Sequence, residues 1–330
     1  MASSTAPHVS PPHPTTPDAG PSGVPNAAPQ SNGTAGRAGI LTPLVVGCLA
    51  ATWLVWGSTY LAIRYALESF PPFLQMASRF LIAGALLLAW MVGVRRARWP
   101  TVLQWRNAAI VGTLMLGGGM GGTAVAEQTI GSGLVVAFIA VVPIMITAIN
   151  GLFGVWPSRR ELAGIAVGLA GVLLLVRGSG FQASPGGLIA VTIATLAWSA
   201  GSVLSQRRYP LAPGAVGFAA EMLCGGAALT VLGLVAGEPA VLTARWPPTA
   251  LASAAWIYLV VFGSLIAFNA YMMLLARVPA ALASSYTLVT PVIGLALGVL
   301  IGGEIVTGAE WLAATVVLGG VVLLLTAPRG

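Results

Sequence analysis

Apolar stretches of roughly membrane-spanning length follow one another from residue 43 to residue 326. Only 7% of the residues are charged and 57% are hydrophobic, whereas soluble domains contain roughly 25% charged residues. A helix that crosses the hydrocarbon core needs about 20 apolar residues. The pattern therefore predicts an all-α polytopic membrane protein with ten transmembrane helices. The predicted spans are 43–65, 73–93, 107–126, 128–150, 162–177, 187–206, 214–236, 250–272, 280–302 and 309–326.

Residues 1–42 differ in composition from the rest of the chain. They are rich in Pro, Ser, Thr, Gly and Ala, and their only charged residues are Asp18 and Arg37. Such a segment buries too little apolar surface to offset the entropy that ordering would cost. We therefore expect a disordered cytoplasmic tail, followed by two membrane domains at 43–178 and 186–326.

The arginines predict the orientation in the membrane. The chain carries a net charge of +7, yet its longest basic stretch is Arg95–Arg98, so nucleic acid is not an expected partner. With the N-terminus in the cytoplasm, eleven of the 15 arginines fall in cytoplasmic loops and two fall in outer loops. By the positive-inside rule this bias predicts a bacterial inner membrane protein with both termini in the cytoplasm.

The two halves of the chain resemble each other. Three landmarks recur in the same order, at offsets of 142, 148 and 149 residues. They are Trp56 with Trp198, Pro143 with Pro291, and Gly171 with Gly320. Because each half holds five predicted helices, an odd number, the second half must cross the membrane in the opposite sense. The duplication predicts two inverted five-helix repeats, an arrangement found in secondary transporters with a site at the repeat interface.

Ordered motifs in both halves resemble the EamA family of the drug/metabolite transporter superfamily. They are Trp56–Tyr60, Phe70–Pro72, Arg79-Phe80, Ala126–Gln128, Gly131–Gly133, Pro143, Gly303-Glu304 and Gly319–Val321. The resemblance implies ten helices in two repeats and transport of small metabolites or drugs, often outward. The family's repeats often carry Gly-Glu near the end of the fourth helix. Here Gly303-Glu304 has no counterpart in the first half, which reads Gly154–Trp156, so the chain departs from a symmetric glutamate pair.

Trp56 and Trp198 are the leading candidates for a substrate cavity. Both lie near the middle of their spans, whereas interfacial tryptophans lie at helix ends. Aromatic walls at this depth can stack on rings or cations, although core packing and lipid contact are alternatives. Further polar and helix-bending candidates, which hydrogen bonds between helices explain equally well, are Ser58, Tyr60, Ser202, Asn269, Tyr286, Pro143 and Pro291.

Charged residues in and near the spans are candidates for gating or coupling. Charges in the hydrocarbon core are costly and mark functional positions; Arg79 and Glu221 occupy such places. Arg79 can instead extend to the outer headgroups, and their predicted depths argue against a salt bridge with Glu221. Glu127 is expected at an outer turn, where a solvated carboxylate is the default. Any proton relay would have to use Glu127, Glu221 or Glu304, because the membrane part lacks histidine.

These features favour a secondary transporter that exports small metabolites or drug-like amphiphiles. The alternative is a membrane-embedded enzyme acting on a lipid or isoprenoid carrier, but its acids would be clustered at one membrane face, and here they are spread. No metal or cofactor is expected, since Cys48 and Cys224 stand far apart. The expected partners are a small-molecule substrate and the lipid bilayer. The small-residue face of Gly164 and Gly168 can serve a homodimer, although packing within the bundle is commoner.

Overall fold

Membrane-length helices occupy most of the chain. The computed structural model describes residues 1–2, 42–130, 135, 138–178, 184–275, 277–278, 280–302 and 307–326. All helices below belong to the compact unit Ile40–Gly330; the second unit is Met1–Gly39. The predicted tail, apart from Met1, Ala2 and Thr42, and the candidate Glu304 lie outside the described residues.

Helical structure accounts for each predicted span, wholly or in part, within the described residues. The helices are α1 (Pro43–Ala66), α2 (Pro72–Val94), α3 (Val102–Ala126), α4 (Val142–Leu152), α5 (Arg159–Gly178), α6 (Pro185–Arg207), α7 (Ala215–Val235), α8 (Glu238–Ala244), α9 (Ala250–Leu275), α10 (Ala280–Ala283), α11 (Tyr286–Gly302) and α12 (Gly308–Leu325). The bounds of the long helices lie within a few residues of the predicted spans, except at the fourth.

Six helices are long and apolar enough to cross a membrane, counted over the described residues. They are α1, α2, α3, α6, α7 and the Ala250–Tyr271 part of α9. The other four predicted spans coincide with α4, α5, α11 and α12. The prediction of an all-α membrane protein is therefore confirmed, and the count of ten spans stays a prediction.

Three helices contain wider π-helical turns. In α2 these turns close the helix at Trp90–Val94. In α3 and α9 they lie inside the helix, at Thr113–Met120 and Leu259–Ile266. α3 and α9 are the third predicted helices of their respective repeats, so the two internal π-helical stretches occupy equivalent places. Such stretches are rare and are frequently found at functional sites.

Polar side chains fix where the helices begin. Threonine or serine caps the first turn of α1, α3, α6 and α9, accepting a hydrogen bond from a backbone amide that the helix leaves free. Proline occupies the first position of α1, α2 and α6, where its missing N–H and fixed φ suit a helix start.

Glu238 caps α2 from a distant part of the chain. Its Oε1 accepts a hydrogen bond from the amide of Phe73 at 3.0 Å, and its Oε2 accepts one from the amide of Leu74 at 2.7 Å. The carboxylate is only 5% exposed, and its charge is stabilised by these donors and by the positive end of the helix dipole. The contact ties α8 to α2 and accounts for the burial of this acid.

Equivalent helices of the two halves pack against each other in antiparallel pairs. Between α2 and α7, Gly84 lies against Met222, while Gly233 lies against Leu74. Between α5 and α12, Gly171 lies against Val317 and Ala313. The first helix of each half packs against the other half: α1 packs on α9 and α11, and α6 packs on α3 and α4.

Glycines allow α5 and α12 to approach within backbone contact. A Cβ atom built on Gly320 would lie 2.5 Å from the backbone nitrogen of Gly168 and 2.7 Å from the carbonyl oxygen of Gly164. The face of Gly164 and Gly168 is thus covered by α12 of the same chain. This face therefore packs within the bundle, and a homodimer stays a prediction.

Gly320 and its neighbour Gly319 provide a matched test of this packing. A Cβ on Gly319 would meet nothing within 4 Å. We expect Gly320→Ala to lower the free energy of unfolding by about 1–3 kcal/mol because it forces the helices apart. Gly319→Ala is expected to be neutral or to add up to about 1 kcal/mol through helix propensity. Thermal unfolding in detergent measures both, and equal effects would contradict the close approach.

Candidate functional site

A small cavity lies where helices of both halves meet. Its walls come from α1, α3, α6, α9 and α11, with Ile139 and Val142 closing one side. The volume is about 40 Å³, enough for one or two water molecules and far below the roughly 300–1,000 Å³ of pockets that hold drug-sized ligands. Side chains therefore nearly fill the centre between the two halves, and we call this arrangement the closed form. The remaining lining residues are Trp56, Thr59, Tyr60, Gly119, Met120, Thr123, Ala194, Thr195, Trp198, Phe268 and Tyr286.

Trp56 stands at the centre of an aromatic cluster. Its ring centroid lies 4.5 Å from that of Tyr286, 5.0 Å from those of Phe268 and Tyr271, and 6.4 Å from that of Trp198. Three of these four contacts are edge-to-face, the arrangement that the ring quadrupoles favour. The cluster unites residues of α1, α6, α9 and α11, so the two halves meet through aromatic rings.

Each tryptophan packs on the π-helical stretch of the opposite half. The Trp56 Nε1–H donates a hydrogen bond of 3.1 Å to the carbonyl oxygen of Gly263 in α9. Trp198 lies against Gly119 in α3, where a Cβ atom would come within 3.1 Å of the indole ring. The landmark pair predicted from the repeat thus lines one cavity, and each tryptophan contacts a glycine of the other half.

Arg79 is buried directly behind this contact. Its exposed fraction is 0%, and its Nε donates a hydrogen bond of 2.8 Å to the Ser264 hydroxyl. The guanidinium lies 4.9 Å from the ring centroid of Phe80, and a Cβ on Gly263 would come within 2.9 Å of Nη2. Arg79 therefore faces the interior, and the alternative that it extends to the headgroups is wrong. Among the described residues, no partner accepts a hydrogen bond from Nη2.

The two described glutamate candidates are both buried. Glu127 lies in the turn that follows α3 and is 7% exposed, so the default of a solvated loop carboxylate is wrong. Both of its oxygens lack a hydrogen-bond partner among the described residues, as does Oε1 of Glu221, which is 1% exposed in α7. Burial raises the pKa of Glu127 well above its ordinary value, and the charge of Arg64 lowers it in part.

Tyr60 and Tyr286 line the cavity with the tryptophans, but the other polar candidates do not. The Ser58 hydroxyl bonds to that of Tyr258 at 2.6 Å. Ser202 donates to the carbonyl of Trp198 in its own helix, and Asn269 donates to the carbonyl of Leu265.

The two prolines lie near the cavity without lining it. Pro143 is buried in the first turn of α4, next to the lining residue Val142, and Pro291 is half-buried inside α11. The sequence reasoning missed Thr59, Thr195 and Phe268. Thr59 and Thr195 each lie three residues from a tryptophan, hence on the same helix face, which is a signal that could have found them.

Comparisons with known proteins agree with this architecture. The sequence profile of the EamA-like transporter family matches residues 43–177 and 185–326. The chain belongs to the EamA family. It is a membrane transporter with several transmembrane helices, as the sequence motifs predict, and the family points to a transporter rather than an enzyme.

Relatives and a solved structure extend the comparison. The inner membrane transporter YedA of Escherichia coli K12, named as uncharacterized, is 41% identical over 86% of this chain and 91% of its own length. A protein of Salmonella typhimurium named "Probable amino-acid metabolite efflux pump" is 22% identical over 81% of this chain and 90% of its own. One crystal structure covers 84% of this chain and 95% of its own with a TM-score of 0.68 at 24% identity, which shows a shared fold.

Arg79 and Ser264 allow a test of the buried charge in this EamA protein. Ser264→Ala removes the acceptor of Nε and is expected to cost about 1.5–3 kcal/mol of stability, as for hydrogen bonds to charged groups. Arg79→Met keeps a long side chain and removes a buried charge whose Nη2 has no hydrogen-bond partner among the described residues, so its unfolding temperature should equal or exceed that of the parent. A larger loss of stability for Arg79→Met than for Ser264→Ala in thermal unfolding would contradict the assignment.

Proposed function

We propose that this EamA protein is a secondary transporter that exports small metabolites or drug-like amphiphiles by alternating access. The observation that carries the proposal is the cavity between the halves, walled by the tryptophan of each repeat. Aromatic walls favour flat, apolar or cationic solutes, which stack on the rings. The proposed setting is the bacterial inner membrane with both termini in the cytoplasm, supported by the arginine distribution and by the similarity to YedA.

The packing of equivalent helices supports ten spans arranged as two inverted five-helix repeats. The pairs α2–α7 and α5–α12 run antiparallel, as a twofold axis in the membrane plane requires. Such symmetry gives a transporter two related conformations, because either repeat can adopt the geometry of the other. In the closed form described above, Trp56 and Trp198 join the repeats at the cavity. We propose that opening to one side separates one of these contacts while the other holds.

Metabolite profiling of the culture medium tests the export function. Cells overproducing the protein should accumulate a solute outside that control cells do not. Trp56→Ala and Trp198→Ala should each reduce that accumulation at least about tenfold, because one lost aromatic contact with the solute costs roughly 1.4 kcal/mol or more. Trp99, which is 61% exposed and does not line the cavity, provides the control, since Trp99→Ala removes a tryptophan outside the cavity wall.

Two outcomes would contradict the export function. If no solute accumulates outside cells that hold the folded protein in their membrane, the proposed export function is wrong. If the Trp56→Ala and Trp198→Ala variants export as well as the parent, the cavity is not the path.

A further inference from the structure

Glu127 lies between the cavity and the exposed end of α1. Its amide donates to the carbonyl of Thr123, one turn earlier, which lines the cavity. On α1, Tyr60 lines the same cavity and Arg64, one turn later, is exposed. Glu127 interacts electrostatically with both Tyr60 and Arg64. The carboxyl group therefore lies one helical turn beyond the cavity lining, on the side where α1 ends.

The surroundings of Glu127 suit a neutral carboxyl group and not a carboxylate. Neither of its oxygens has a hydrogen-bond partner among the described residues. Glu238 provides the contrast within the same chain: it is equally buried, at 5% exposed, yet both of its oxygens accept backbone amide hydrogen bonds. An ionised carboxylate buried without donors is strongly unfavourable. Glu238 has amide donors for both of its oxygens, and Glu127 has none among the described residues.

Few charged groups face Glu127 from the helices around it. On α1, the charged Arg64 and the titratable Tyr60 both interact electrostatically with Glu127. On α2, Arg79 interacts electrostatically with Tyr60. The sequence of α6 holds no ionisable side chain before Arg207, and the sequence of α4 holds none.

The other buried glutamate lies at a different level. Glu221 packs beside Gly112 of α3, fifteen residues before Glu127, which is about 22 Å along a helix axis. Among the described residues, Arg64 is the exposed cation that interacts electrostatically with Glu127.

We propose that Glu127 carries the proton that this transporter exchanges for its solute, an inference that rests on the proposed export function. The empty protein closes with Glu127 protonated, because neither of its oxygens has a hydrogen-bond partner among the described residues. When the cavity opens to the cytoplasm, Glu127 releases its proton through the cavity to the cytoplasmic water, and the solute enters. When the turn opens to the outer side, the carboxylate meets water and Arg64, the solute leaves, Glu127 takes a proton from the outer water, and the protein closes empty. One proton crosses inward for each solute that crosses outward.

The pH dependence of the closed empty form follows from this cycle. Because burial raises the pKa of Glu127 in the closed form, that form is favoured at low pH and is lost as the pH rises through the raised value. The open form, in which Glu127 is ionised beside Arg64, takes its place.

Infrared spectroscopy of the reconstituted full chain tests whether Glu127 holds a proton. The parent should show a protonated-carboxyl C=O band at neutral pH that disappears as the pH rises. The difference spectrum against Glu127→Gln should contain that band, whereas the difference against Glu238→Gln should contain none. A parent spectrum without a protonated-carboxyl band at neutral pH overturns the proposal even if no variant folds. A Glu127→Gln spectrum that keeps the whole band overturns it too.

A transport assay separates proton coupling from mere burial. The solute is the one that medium profiling identifies, and a protonophore should abolish its uphill export by the parent. Glu127→Gln should let this solute equilibrate down its gradient, yet fail to accumulate it. Glu161→Gln is the control, since Glu161 accepts a bond from Ser158 in the capping turn of α5. Uphill export by Glu127→Gln at the parental rate overturns the proposal.

The two proposals fail separately. An absent solute in the profiling contradicts the export function whatever the infrared band shows. An exported solute together with an ionised Glu127 in the parent contradicts proton exchange alone.

Discussion

Two tryptophan side chains, each packed on a π-helical stretch of the opposite half, join this membrane protein at its centre. Between helices in a bilayer the hydrophobic effect contributes little, so association depends on close packing and hydrogen bonds. Trp56 supplies both, because its ring contacts four aromatic rings and its Nε1–H donates to Gly263. Trp198 uses the space left by the missing side chain of Gly119. The cavity, the burial of Arg79 and the closed state depend on these two contacts.

The closed form buries polar atoms that have no hydrogen-bond partner among the described residues. The side chains with buried, unbonded atoms among the described residues are Gln75, Arg79, Glu127 and Glu221. Gln75 and Arg79 lie one turn apart on α2, and Gln75 is fully buried with both amide atoms free. Such groups are destabilising in a bilayer interior, where no water replaces the missing bonds. The closed form is therefore stabilised by its helix packing and its aromatic cluster, while its polar interior favours opening.

Hydropathy and the repeat predicted much of this arrangement, because both depend on properties that a single sequence displays. Apolar length located the long helices, and the duplicated tryptophans identified the two residues that meet on the cavity. The sequence could not show which of two consecutive helical residues faces the cavity. Ser58 was a candidate and Thr59 was not, yet Thr59 lines the cavity, since consecutive helical residues point about 100° apart. Phe268 gave no signal, because nothing in its own half marks that face of α9. The burial of Glu127 was hidden for a related reason: its position after a helix suggests solvent, and the packing of α2 and α6 against the end of α3 encloses it.

The central claim is that the cavity between the repeats opens to each side of the membrane in turn. Thr195 lines the cavity on α6 and is 2% exposed, so a cysteine there reports access with little change in volume. The most direct measurement is the labelling of Thr195→Cys by a membrane-impermeant thiol reagent, with Cys48 and Cys224 replaced by alanine, in right-side-out and in inside-out vesicles. Alternating access predicts labelling from both sides, slowed in each case by the transported solute. Labelling from one side only, or from neither, would contradict it.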